Sequence, residues 1–212
     1  FGRDLAPLLG PDTPVLFIAN GIPWWYEHKS TPAHRAELSF FRIGDAIMRD
    51  LSPSRVMGGV IYSANTVIAP GRIANGSVDR NRLIFGSIRQ NSNAEDLVDH
   101  IFAPTDLDAV RSPNILGEVW RKLPISMCIP LICIAADVTP YDIGASPRLR
   151  RLFASIINEA QVIARDQGHL SETHIDIDAI FARMTRHIPS MVGDYLANRP
   201  TEFDATIEAP LA

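Results

Sequence analysis

SPNILGEVWRKLPISMCIPLICIAADV, residues 112–138, is the stretch on which the fold turns. Ahead of Ser112–Pro113 the chain is built of short β-branched runs separated by Gly, Asn and Pro. Behind it, apolar residues return every three or four positions. Asn114 to Val138 reads as one long apolar, helical segment interrupted by Pro124 and Pro130. Arg148 to Gln167 has helical periodicity and stops at Gly168, with Leu149, Leu152, Phe153, Ile156, Ile157, Ala160, Ile163 and Ala164 on one apolar stripe. The change of period predicts two domains, an α/β half over residues 1–112 and an all-α half over residues 113–212.

Working back from that boundary, Thr13 to Ala19, TPVLFIA, is a short continuous apolar run closed by Asn20–Gly21, the pattern of a strand buried on both faces and then a turn. Ala33 to Met48 mixes charges with apolar residues and predicts an irregular or partly helical connection. From Arg55, VMGGVIYSANTVI and then Arg72–Val78 and Leu83–Ser87 predict antiparallel strands. Asn93 to Phe102 has the spacing of a short amphipathic helix, and Leu107 to Val110 that of a closing strand. Working forward, Asp176–Arg186 and Ser190–Ala197 suggest two short helices, with Asp176 and Asp178 placed where a helix dipole favours carboxylates.

The chain has 212 residues, 46% hydrophobic and 21% charged, with a net charge of −4. That balance suits a globular protein with a sizeable core, and the acidic surplus argues against nucleic acid or an anionic membrane as partner. Cys128 and Cys133 are the only cysteines and lie in an apolar run, which fits a reducing, cytoplasmic setting. The longest apolar stretch, Ile125 to Ala136, falls short of a membrane span. His169, Glu172 and His174 lack the spacing of a zinc site and read as surface residues, so no metal is expected.

Four local features face the junction between the halves, where ligands often bind. They are Asn20–Gly21, Trp120–Leu123, Pro189–Met191 and Arg199–Asp204. Each has a plain structural alternative. Asn–Gly makes turns. Lys122 can snorkel to water, or sit desolvated as a general acid that protonates a carbonyl oxygen. Glu202 beside Thr201 fits a helix N-terminus equally well. Trp24–Trp25–Tyr26 suits packing or a lid over a ligand.

In order and spacing, PDTPVLFIANGIP (11–23), RVMGGVIYSANTVIAPGRI (55–73), EVWRKL (118–123), NEAQVIARDQG (158–168) and PSMVGDYLANRPTEFD (189–204) resemble the ketopantoate reductases, or 2-dehydropantoate 2-reductases. The resemblance implies the C-terminal part of a Rossmann-type nucleotide-binding domain followed by a helical domain like that of 6-phosphogluconate dehydrogenases. It implies NADPH-dependent reduction of a 2-oxo acid, 2-dehydropantoate or a relative, to the 2-hydroxy acid. It also implies Lys122 as the catalytic proton donor and Glu202 as the catalytic carboxylate. Ser190, Asn20 and Ser126 would bind substrate, Asn20 and Gly21 would meet the cofactor, and the assembly could be a homodimer.

The same resemblance expects asparagines four and eight residues after the lysine, where Ser126 and Pro130 stand, so the substrate is open to change. A further polar position falls near Thr139. No G-x-G-x-x-G occurs in the 212 residues, and Gly58–Gly59 sits inside a strand-like run, so the cofactor's pyrophosphate has no seat here. The reading is therefore of a piece shortened at both ends from a longer reductase. The alternative is a non-catalytic fragment serving as a ligand-binding or assembly module.

Overall fold

The computed structural model describes residues 5–26, 39–76, 81–169 and 175–211. The chain forms two compact units. One comprises residues 1–19 and 23–118; the other comprises Asn20–Ile22 and Val119–Ala212.

The first unit is built on a four-stranded sheet of β1 (Val15–Ile18), β2 (Val56–Tyr62), β5 (Arg82–Ser87) and β6 (Asp108–Arg111), in that spatial order. β1 and β2 run parallel, β2 and β5 antiparallel, and β5 and β6 parallel. A separate hairpin joins β3 (Asn65–Ala69) to β4 (Arg72–Asn75). The run VMGGVIYSANTVI is therefore two strands that part at Ser63–Ala64. The expected strand Arg72–Val78 stops at Asn75, and residues 77–80 lie outside those described.

One strand expectation needs correction. β1 is half-buried, with Ile18 exposed, because it is the end strand of the described sheet; its apolar run signalled a strand but not burial on both faces. The segment expected to be irregular or partly helical is helical from Ser39, as α1 (Ser39–Asp50), while residues 33–38 lie outside those described. The expected helix near residue 93 is α2 (Ser92–Phe102), capped by the Asn91 side chain accepting from the Ala94 amide at 3.2 Å. Met57, Leu83 and Phe85 of the sheet pack on Ala94 and Val98 of α2. Arg111 ties β6 to the same helix by ion pairs with Asp96, at 2.5 Å, and Asp99. Trp25 is 1% exposed, and a Cβ on Gly58 would sit 2.2 Å from its ring, so Trp25 serves packing.

The second unit is helical. α3 (Ile115–Ala136) enters it from residue 119 and runs unbroken through Pro124 and Pro130. Taken whole, α3 is long and apolar enough to cross a membrane, which the shorter Ile125–Ala136 run concealed; half of its most apolar window is buried inside the protein. α4 (Pro140–Ala145), α5 (Pro147–Asp166), α6 (Ile177–Arg183) and α7 (Ser190–Leu196) follow. Cys128, Ile132 and Cys133 of α3 share a core with Ile143, Phe153, Ile157, Ile175 and Val192. Arg150 lies over the Phe181 ring at 4.3 Å and bonds Asp178 at 2.8 Å, stapling α5 to α6.

Thr139 is the N-cap of α4, in a capping box with Asp142, so its polar side chain is accounted for by local structure. His169 corrects the surface reading: it is half-buried and stacked on Trp120 at 6.3 Å, and burial lowers its pKa. Glu172 and His174 lie outside the described residues.

Candidate functional site

The site lies within the second unit and draws on three distant stretches. Lys122 stands on α3, which is continuous and buried on either side of it at Trp120 and Leu123. Asn20 comes from the short segment that follows β1. Glu202 follows α7, whose last turn is closed by Asn198 at φ 53°, with the Asn198 amide bonded to the Tyr195 carbonyl and the Arg199 amide to the Asp194 carbonyl. Asn tolerates that left-handed geometry, and Pro200 then prevents the helix from resuming. The chain turns out of α7 and, after Glu202 and Phe203, enters a π-helix, Asp204–Glu208.

These stretches converge on one carboxamide. Lys122 Nζ donates to Asn20 Oδ1 at 2.7 Å, and Asn20 Nδ2 donates to Glu202 Oε2 at 3.4 Å. An ammonium can only donate and a carboxylate can only accept, so the two neighbours dictate which end of the amide faces which. Lys122 has its pKa lowered from 10.5 to about 8, chiefly because burial disfavours the charged form, while Glu202 pulls the other way. The result is an ammonium that gives up a proton near neutral pH and is oriented by its carboxamide. That is the chemistry of a proton donor to a developing alkoxide.

The other expected site residues are placed differently. Ser126 Oγ donates to the Lys122 carbonyl at 3.2 Å and the Leu123 carbonyl at 3.1 Å, so its proton is returned to its own helix. Ser190 opens α7 and is exposed, and no hydrogen bond joins it to Lys122, Asn20 or Glu202 among the described residues. Gly21 has φ +75° and packs on Ala205, whose carbonyl oxygen accepts from the Ile22 amide at 2.7 Å. This contact with the π-helix carries no local signal in the sequence, since its partners are more than 180 residues apart. No group of three or more His, Cys, Asp or Glu among the described residues could hold a metal ion.

An α/β unit followed by a helical unit that carries a lysine, a carboxamide and a carboxylate in line defines the class. Residues 114–212 match the model of the ketopantoate reductase PanE/ApbA C-terminal domain. The chain is 32% identical over 209 residues to the 2-dehydropantoate 2-reductase of Mesorhizobium japonicum, covering 97% of this chain and 64% of that protein. A Ralstonia solanacearum MolK2 protein assigned as a ketopantoate reductase shares the fold with a TM-score of 0.81 at 24% identity, over 99% of this chain and 64% of the other. A D-mandelate dehydrogenase solved with NADH and anilino(oxo)acetate shares it with a TM-score of 0.76 at 21% identity, over 99% and 63%. Residues 114–212 are a ketopantoate reductase PanE/ApbA C-terminal domain, and the chain as a whole is similar to proteins of that family. It spans just under two thirds of the length of these relatives.

Proposed function

We propose that the whole protein reduces a 2-oxo acid to the 2-hydroxy acid with NADPH as reductant, 2-dehydropantoate or a relative being the substrate. The observation that carries this reading is the 2.7 Å bond from Lys122 to Asn20, made by an ammonium whose pKa burial has brought down to about 8. A nicotinamide cofactor, when bound, supplies the hydride to the ketone carbon. The glycine-rich turn that would seat its pyrophosphate does not occur in these residues, so what the chain explains is the substrate side.

On that side, Lys122 holds the ketone oxygen and passes it a proton as charge develops there. The lysine left neutral is the form its buried position prefers. Asn20 spends its oxygen on Lys122 and keeps an N–H directed at Glu202, which fixes the amine in one orientation. Ser190, exposed at the start of α7, is free to donate to the substrate carboxylate. Both cysteines are unpaired thiols, which supports a reducing, cytoplasmic setting. The family resemblance further suggests a homodimer, which light scattering of the whole protein decides.

The test is Lys122→Ala in the whole protein. Oxo-acid-dependent NADPH oxidation should fall by at least about 100-fold with folding retained. Turnover that survives the replacement refutes the reading. The relative that binds NADH also makes a parallel assay with NADH necessary to fix the cofactor.

A further inference from the structure

Asn20 touches both Lys122 and Glu202, and its carboxamide goes where the backbone beneath it goes. One residue on, a Cβ at Gly21 would lie 2.6 Å from the Ala205 carbonyl oxygen, 2.7 Å from its carbonyl carbon and 3.0 Å from its Cβ. Gly21 is also left-handed, at φ +75°. Two separate obstacles therefore exclude a side chain: a backbone conformation that L-residues avoid, and a neighbour that is itself backbone and has no flexible end to yield.

A turn would require only the first obstacle. The second is a clasp, completed when the Ile22 amide donates to that same Ala205 oxygen at 2.7 Å. Ala205 is in turn fixed relative to Glu202, because the Thr206 amide donates to the Glu202 carbonyl at 3.0 Å. The contacts close a ring: Asn20 to Gly21, across to Ala205, back along the π-helix to Glu202, and from Glu202 to Asn20.

We propose that Gly21 is a positioning residue of this site: lacking a side chain, it lets Ala205 close on residues 20–22 and so holds Asn20 between Lys122 and Glu202. The sequence reading gave Gly21 to the cofactor; its contacts assign it to the substrate side. The proposal rests on Lys122 being the proton donor.

The test compares Gly21→Ala and Asn20→Ala, singly and together, in the whole protein, by kcat/KM for a 2-oxo acid across pH. Each single replacement should lower kcat/KM by roughly 10- to 100-fold, the scale of a displaced positioning group. The double variant should fall no more than about threefold below the worse single, because both remove the same carboxamide contact. Both should also move the alkaline limb to lower pH, since the protonated amine loses its acceptor. A purely structural role for Gly21 would reduce the folded fraction and leave the limb where it is.

Ala205→Val presses on the contact from the other side without straining residue 21, so it keeps the test decisive if Gly21→Ala does not fold. It too should be non-additive with Asn20→Ala. Multiplying effects in the double variants, or reduced activity with an unmoved limb, overturn the clasp. Turnover that survives Lys122→Ala overturns the underlying reductase reading instead.

Discussion

Removing the charge of Glu202 tests how the site sets the acidity of Lys122. Burial brings the lysine down to about 8, and Glu202 works against that fall. A proton donor is active while protonated, so kcat/KM should decline as pH rises through about 8 in the native protein. Glu202→Gln keeps the shape and removes the charge. The two charges are separated by one carboxamide, through bonds of 2.7 and 3.4 Å. At roughly 7 Å, Coulomb's law gives about 0.6 kcal/mol in water and about 2.4 kcal/mol at an effective dielectric of 20. Glu202 is exposed, which places the interaction near the aqueous end, at about 0.6–1 kcal/mol or roughly half a pKa unit. The alkaline limb should move down by about that amount, giving up to roughly threefold greater relative loss at pH 8.5 than at pH 6.5. About 1 M salt should shrink the difference, because the carboxylate is open to counterions. The assay is the pH profile of kcat/KM, read by its midpoint and not its height, since Glu202→Gln also alters substrate binding. A limb that stays in place or moves up refutes the coupling.

Three further outcomes follow from the same geometry. Lys122→Met should abolish turnover yet stabilise the fold: the drop from 10.5 to about 8 is worth about 3 kcal/mol, reduced to about 1–2 kcal/mol by the lysine's partial exposure and the lost bond to Asn20. That gain should be full below pH 8 and disappear toward pH 10.5, as the native lysine sheds its proton before the unfolded one, and denaturant midpoints across pH measure it. Thr206 is 1% exposed with no partner for its hydroxyl among the described residues, so Thr206→Val should raise the denaturant midpoint by about 1 kcal/mol equivalent. Ser190→Ala should raise KM by roughly 3- to 10-fold with kcat little changed, the cost of one lost hydrogen bond to substrate, and an unchanged KM removes Ser190 from the site.

Most elements were legible in the sequence where a local rule governs them. The 3.6-residue stripe from Leu149 to Ala164 and the stop at Gly168 read out α5, because one face of that helix meets the core. Asp176 was readable as a carboxylate at a helix start, where its side chain accepts from the Ala179 amide three residues on. Burial was less legible. Val15–Ile18 is apolar throughout, but position in the sheet decides its exposure, and that depends on which strands pair. The two prolines of α3 argued for interruption, whereas the surrounding core holds the helix through both.

For the site, the sequence by itself determined which groups exist: a lysine in an apolar helix, an Asn–Gly after a strand, and a carboxylate after a helix stop. It also determined that Ser126 and Pro130, not asparagines, follow Lys122 along the helix. Only the tertiary structure decided that Asn20 bridges Lys122 and Glu202, that Ser126 spends its proton on its own helix, and that Gly21 packs against Ala205. The reason is range. Caps, stripes and turns are settled within a few residues, but a bond across 182 positions, or a pKa lowered by burial, depends on which surfaces the folded chain brings together.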